Sequence, residues 1–240
     1  MSASFVKPCS ASLPAVMPAN VQPPAEPHIC VVYADADIIV LDKPSGLLSV
    51  PGRGADKQDC LSARVQAEFA DALVVHRLDM ATSGLIVMGR SAAMQRALSA
   101  AFANRTVNKR YEAIVHGQVT ATGDEWRVID LPIAADWPNR PLRVIHHEAG
   151  KASVTRLQRL HFDAKRNASH VLLEPLTGRT HQLRLHLQAI GHPILGDALY
   201  APAAVIAMAP RLLLHACALG FNHPVSGVAL QFHRPMQPSA

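Results

Sequence analysis

The chain has 240 residues, 49% of them hydrophobic and 17% charged, with a formal net charge of +5. That length suits one globular domain with a substantial core, no apolar run reaches the roughly 20 residues a membrane span requires, and the N-terminus lacks the apolar stretch of a signal peptide, so cytoplasmic residence is expected. The basic balance suits a polyanionic partner without identifying one.

Residues 1–28 are rich in proline, alanine and serine and show no periodicity, which predicts a disordered or loosely draped tail. Ordered structure is expected from Ile29, with residues 29–33 and 38–41 forming a hairpin across the turn at 34–37. Residues 42–52, punctuated by Pro44, Gly46, Pro51 and Gly52, read as a loop. Asp59 is placed to cap a helix through residue 70, with Leu61, Val65 and Phe69 on one stripe.

Leu73, Val74 and Val75 lead into a polar string, His76-Arg77-Leu78-Asp79-Met80-Ala81-Thr82-Ser83-Gly84, and Leu85, Ile86, Val87 and Met88 lead out of it. Both flanks read as short buried strands, and the turn between them is the kind of place where folds hold reactive groups. Taken alone, Asp79 is an ordinary turn aspartate bonded to its own backbone.

Ser91 caps a second amphipathic helix to about residue 104, with Met94, Leu98 and Phe102 inward. Residues 109–115 alternate as a strand with Tyr111, Ala113 and Val115 on one face. Residues 126–143 are turn-rich and read as a surface insertion, followed by strands near 154–162 and 171–176. Thr180 is placed to cap a helix ending at Ile190, with Gly191 beyond it in a left-handed conformation. Leu183, Leu187 and Ile190 would face the core, and His181, Arg184 and Gln188 another side. Residues 191–197 form a loop, a buried strand begins near 212–216, and a last strand near 228–232 closes the sheet. Many strands, short turns and three or four helices argue for one α/β (α+β) domain over 29–240, on a mixed, largely antiparallel sheet.

Four scattered cysteines, Cys9, Cys30, Cys60 and Cys217, form no Cys-x-x-Cys pair, so neither a zinc ribbon nor a disulfide framework is expected. Thirteen histidines include no His-Glu-x-x-His, and His146-His147-Glu148 has no evident partner ligands.

The string His76-Arg77-Leu78-Asp79 followed by Thr82-Ser83-Gly84-Leu85 closely resembles the catalytic motif of the RluA family of RNA pseudouridine synthases. Lys109-Arg110-Tyr111-Glu112-Ala113 resembles that family's second motif and Gly178-Arg179-Thr180-His181-Gln182-Leu183-Arg184 its third, with Lys43-Pro44-Ser45-Gly46 a weaker match. Asp136-Trp137-Pro138-Asn139-Arg140-Pro141 resembles a short form within the family.

The resemblance implies the pseudouridine synthase catalytic fold, with the Asp79 loop and the Arg184 helix meeting in a central cleft. It makes Asp79 the nucleophile, Tyr111 the residue stacked on the target uracil, and Arg184 the partner of Asp79 in a bidentate pair. Arg77 would help hold the distorted RNA, and His76, Thr82, Arg179, His181 and Gln182 would also bind substrate. The implied reaction is an isomerisation without redox change, so no cofactor and no metal are expected. The implied partners are 23S rRNA and a tRNA anticodon stem-loop, with no DNA or membrane partner, and the implied state is a monomer. The tail is too short and proline-rich for the small helical S4-like RNA-binding module that many relatives carry.

Three alternatives stand beside this one. They are a sibling synthase with a single different RNA site, a catalytically silent RNA-binding protein, and a carboxylate-dependent hydrolase. The last would need a second carboxylate beside Asp79, which the sequence does not place.

Overall fold

The computed structural model describes residues 29–120 and 125–237, so the tail expected over residues 1–28 lies outside the described residues. The first hairpin joins β1 (Cys30–Ala34) to β2 (Ile38–Lys43) antiparallel. Asp35 closes the turn, its Oδ1 accepting from the N–H groups of Asp37 and Ile38 at 2.8 Å each. Helix α1 (Leu61–Glu68) follows, then β3 (Leu73–Val74), the turn bearing Asp79, and β4 (Ser83–Gly89), which is buried throughout. Helix α2 (Ala92–Ala103) starts where expected, with Ser91 Oγ accepting from the Met94 N–H at 3.2 Å.

Next come β5 (Asn108–His116), β6 (Arg127–Asp130), β7 (Ile133–Ala135) and β8 (Arg143–Ile145). The long hairpin β9 (Val154–Asp163) and β10 (Ala168–Pro175) leads to α3 (Gln182–Ala189) and the single turn α4 (Ala203–Ile206). Strands β11 (Leu214–Asn222) and β12 (Ala229–His233) end the fold.

The main sheet runs β1-β2-β4-β11-β5-β10-β9-β6, with β3 on β4 and β12 on β11. Its pairings are antiparallel except β4 with β11, which meet parallel at Ser83 and Gly84 against His215 and Ala216. Strand β11 is therefore the only strand linking the β1-β2-β4 side to the β5-β10-β9-β6 side among the described residues.

Strand β2 shows why a continuous apolar run can still be a strand. Ile39 and Leu41 pack with Leu61, Val65 and Met88 on one face, while Ile38 and Val40 pack with Val87, Leu98 and Phe221 on the other. Both faces are covered, so alternation gives way to apolar residues on both sides. A third cluster, built on Ala113, Val115, Leu173, Leu183, Leu187 and Leu214, fills the β5–β10 side, and Tyr111 touches both it and the Ile39 cluster. Burying each such side chain is worth about 1.5–3 kcal/mol, which fixes the sheet strongly enough to carry strained turns.

Three local expectations are corrected. Asp59 does not cap α1; its carboxylate pairs with Arg64 through bonds of 2.7 and 2.6 Å, and the helix ends at Glu68. Thr180 does not cap α3: His181 occupies the N-cap at φ 58°, in the left-handed region. The turn-rich segment is no bare insertion, since β6 extends the main sheet beside β9 and β7 pairs with β8 as a separate ribbon.

Gly84 sits at the parallel contact with φ +112°, where a Cβ would overlap the backbone N and O of Ala216. Both the conformation and the contact exclude a side chain. Gly84→Ala is expected to cost about 3 kcal/mol or more, by strain and separation of β4 from β11. A thermal unfolding midpoint equal to the parent's would show that the two strands can part there at little cost.

Candidate active site

The turn between β3 and β4 is held from below by the loop after β2. Lys43 is fully buried, and its Nζ donates to the carbonyls of Pro44 at 2.8 Å, Leu47 at 2.7 Å and Met80 at 3.1 Å. Three acceptors match the three protons of an ammonium, which is how a buried amine is satisfied. Burial pulls its pKa down to about 7, with the charge of Asp79 pulling it back up. Ser45 Oγ donates to the Ala81 carbonyl at 2.7 Å, the Gly46 N–H to the Met80 carbonyl at 2.9 Å, and Ser49 Oγ to the Leu78 carbonyl at 2.7 Å. The turn's backbone is thus tied down residue by residue, while the Asp79 side chain keeps 29% of its surface open.

Arg184, from the middle of α3, reaches Asp79 from the side. Its Nη1 lies 3.5 Å from Asp79 Oδ2. The bidentate pair goes elsewhere, which corrects the expectation: Nε donates to Asp197 Oδ2 at 2.9 Å and Nη2 to Oδ1 at 2.6 Å. Asp197 is 1% exposed, and its Oδ1 also accepts from the N–H groups of Leu199 at 2.9 Å and Tyr200 at 3.2 Å. With Nε and Nη2 spent on Asp197, the Nη1 amino group is the part of the guanidinium that faces Asp79. The Tyr200 ring covers the same guanidinium, 5.2 Å from Cζ to centroid. A second carboxylate therefore shares the same arginine, but with its oxygens bonded and no place in the cleft lining it has no freedom to act as the acid or base of a hydrolase pair.

His181 stands on the other side of Asp79, its Nε2 3.9 Å from Oδ2. Tyr200 Oη accepts from the Arg143 N–H at 3.0 Å, so its own hydrogen points to His181 Nδ1 at 2.7 Å. That assigns the ring proton to Nε2, the nitrogen facing Asp79. Burial holds the imidazole below its ordinary pKa against the pull of Asp79, which keeps it neutral. Tyr111 lines the same pocket from β5, and burial, then the charge of Asp79, push its hydroxyl well above the ordinary value.

The remaining expected residues divide by what already engages them. Arg77 and Arg179 are exposed and line the cleft with Lys109, Arg105 and Leu176, giving it a cationic and partly apolar wall. Thr82 is buried at the base of the pocket. His76 borders the cleft, but its Nε2 accepts from the Val87 N–H at 3.1 Å and its ring stacks on Phe102 at 4.2 Å. Gln182 is 3% exposed and its amide is spent inside the protein. Its Oε1 accepts from Thr177 Oγ1 and the Arg179 N–H at 2.8 and 3.0 Å, and its Nε2 donates to the Val154 carbonyl at 3.0 Å. Gln182 thereby shapes the loop carrying Arg179 and leaves no amide group for a ligand.

Lys43, Asp197 and Tyr200 were not singled out by sequence. Lys43 lay in a motif that any tight turn would imitate, and Asp197 in a loop that gave no hint of its distance from Arg184. Two groups of potential metal donors occur among the described residues, Glu112–Cys217–His233 and Asp35–Asp37–His223, and neither lines the cleft. In the second, His223 Nδ1 accepts from the N–H groups of Val225 and Ser226 at 3.2 Å each. Its proton is then on Nε2, aimed at Asp35 Oδ2 3.1 Å away, in the direction a metal would need.

A family model described as RNA pseudouridylate synthase matches residues 37–189. The dual-specificity RNA pseudouridine synthase RluA of Escherichia coli (strain K12) is 45% identical over 216 residues, covering 90% of this chain and 97% of that protein. The protein of the same name from Yersinia pestis is 48% identical over 202 residues, covering 84% and 96%. Among solved structures, human RNA pseudouridylate synthase domain containing 1 superimposes with a TM-score of 0.73 at 27% identity, covering 89% of this chain and 86% of that one.

The inward-facing His76 has a pH consequence. Burial, reinforced by Lys109, pushes its pKa from 6.5 down to about 3. The folded ring stays neutral where the unfolded ring takes up a proton, so its contribution is complete above about pH 6.5 and is lost as pH falls toward 3. Unfolding free energy should fall with decreasing pH across that window, one such proton contributing up to about 1.4 kcal/mol per pH unit. His76→Gln should flatten the slope in urea titrations between pH 6.5 and 4, and an unchanged slope would assign it to other groups.

Proposed function

The chain belongs to the RNA pseudouridylate synthase family and is an RNA pseudouridine synthase, and from that premise we propose that it modifies loop uridines in two RNA classes, 23S rRNA and a tRNA anticodon stem-loop. The dual specificity in its relatives' names supports two classes, and the family resemblance supports their identity. In this proposal residues 29–240 act as one catalytic unit, as a monomer in the cytoplasm. No helix among the described residues is long and apolar enough to cross a membrane.

The observation that carries the catalytic assignment is the 3.5 Å approach of Arg184 to Asp79 on the floor of a cleft lined by Arg77, Lys109, Tyr111 and Arg179. Pseudouridine formation breaks the N1–C1′ bond, turns the uracil and joins C5 to C1′. The C5 proton leaves and N1 gains one, so atoms and charge balance without a co-reactant. The reaction needs an aimed carboxylate at the nucleoside, whether it engages the base or the ribose first. Asp79 supplies it from a turn whose backbone has no freedom to retreat. Arg184 supplies a fixed compensating charge, present before the substrate arrives. Tyr111 offers a ring face for the flipped uracil, a role suited to an aromatic side chain. In this proposal its hydroxyl, kept protonated by burial, faces C5, where a proton must leave. Arg77, two residues before Asp79 and exposed, is the cation this proposal sets against the RNA loop.

Asp79→Asn should abolish pseudouridine formation in a tritium-release assay while leaving folding and RNA affinity largely intact, since the amide keeps the shape but is no nucleophile. Appreciable turnover would remove Asp79 from that role. Tyr111→Phe keeps the ring and loses the hydroxyl, so RNA binding should persist with product formation strongly impaired. Turnover equal to the parent's would make the tyrosine a stacking platform alone.

A further inference from the structure

The ribbon β7–β8 forms a second groove that continues from the catalytic cleft. Gly178, Arg179 and Thr180 line both, and the groove adds Trp137, Arg143 and Lys151. Trp137, at the ribbon's tip, has 67% of its surface exposed, an unusual position for the side chain with most to gain from burial. The Arg140 guanidinium lies 3.6 Å from the centroid of its ring and covers one face. The tip is held rigid, with Asp136 Oδ1 accepting from the Asn139 N–H at 3.3 Å and Oδ2 from its side-chain amide at 3.0 Å. Arg143 carries the one buried side-chain nitrogen without a hydrogen-bond partner among the described residues, its Nε. An orphaned donor of this kind implies an acceptor that arrives from outside. The groove's described lining includes cations and no carboxylate, so an anion entering it would meet no opposing charge.

We propose that this groove is a second nucleotide subsite, in which Trp137 stacks on an unpaired base flanking the target uridine while Arg143, Lys151 and Arg179 hold the adjoining phosphates. The proposal rests on the assignment of the chain as an RNA pseudouridine synthase. A base and its phosphate match the two features present, a ring with one face free and a row of cations beside it. The subsite is also joined to the catalytic centre by a bonded path. The Arg143 N–H donates to Tyr200 Oη, which donates to His181 Nδ1, whose Nε2 faces Asp79. A flanking nucleotide seated on the ribbon would therefore fix the distance from the substrate backbone to Asp79, selecting loops in which two neighbouring bases leave the stack together.

The chain has two tryptophans, so Trp126→Phe leaves Trp137 as the sole indole reporter. In that background, with Asp79→Asn added to prevent turnover, the full chain is titrated with a stem-loop RNA carrying the target uridine. A second titration uses the same RNA with abasic residues at the flanking loop positions. Trp137 emission should be quenched by the first RNA and not by the second, while anisotropy reports binding of both. In the otherwise unaltered enzyme, Trp137→Ala should raise KM for the intact loop about tenfold, with most of its effect in KM rather than kcat, and should erase the preference for intact over abasic flanks. Lys151→Ala should lower the slope of log affinity against log salt by about one. Trp137 emission unmoved at saturating RNA, or a Trp137→Ala enzyme with the parent's KM, would overturn the subsite. So would emission that changes with protein concentration alone, which would mark Trp137 as a contact between copies. Absence of pseudouridine from both RNAs with the unaltered enzyme would refute the synthase assignment instead, leaving the emission measurement readable on its own.

Discussion

The site depends on a single buried guanidinium placed between two carboxylates of unequal standing. Asp197 is enclosed and takes the fork of Arg184; Asp79 is partly open and receives what the fork leaves. An arginine in that position has no alternative orientation, because rotating it toward Asp79 would abandon a buried anion. Removing one partner of such a pair typically costs 3–5 kcal/mol. The fold therefore enforces the charge arrangement with the same interaction that stabilises it. Asp197 acts on Asp79 only through the arginine, and the N–H groups of Leu199 and Tyr200 hold Asp197 in turn.

A second buried cation completes the arrangement from the opposite direction. Lys43 gathers three carbonyls, one of them from the turn itself, and neighbouring serines bind two more of its carbonyls. One positive group thus fixes where the backbone of Asp79 lies and the other faces its side chain. The two come from β2 and α3, far apart in sequence, and the sheet brings them together. The exposed cations Arg77 and Arg179 line the cleft above this fixed floor.

Much of this could be read from the chain. Alternation at Tyr111, Ala113 and Val115, the Ser91 cap and the stripe of Leu183, Leu187 and Ile190 all gave elements close to those observed, because each depends on local pattern and on burial of one face. What sequence could not supply was competition between partners. Asp59 had a cap to make and an arginine five residues on, and the ion pair won. Thr180 lost its cap because Gln182 closes the loop from within, which leaves His181 to turn the chain at positive φ. The bidentate pair was assigned to Asp79 because the third motif names its arginine but says nothing about Asp197, which lies in a separate loop. The turn-rich segment concealed a ribbon whose strands are three residues each, too short to show a period.

Strand β11 enters the sheet between β4 and β5, and so gives the enzyme an order of assembly. The strands on the Asp79 side are contiguous in sequence, and the strands beside Tyr111 pair with one another without help from β11. The strand that joins the two sides is far from β4 in sequence, with His215 meeting Ser83 across a separation of 132 residues. Closing so long a loop is slow and costly until the contact that rewards it exists. The carboxylate and its arginine thus belong to two sides of the sheet that only β11 joins among the described residues, so the site is complete only with that strand in place.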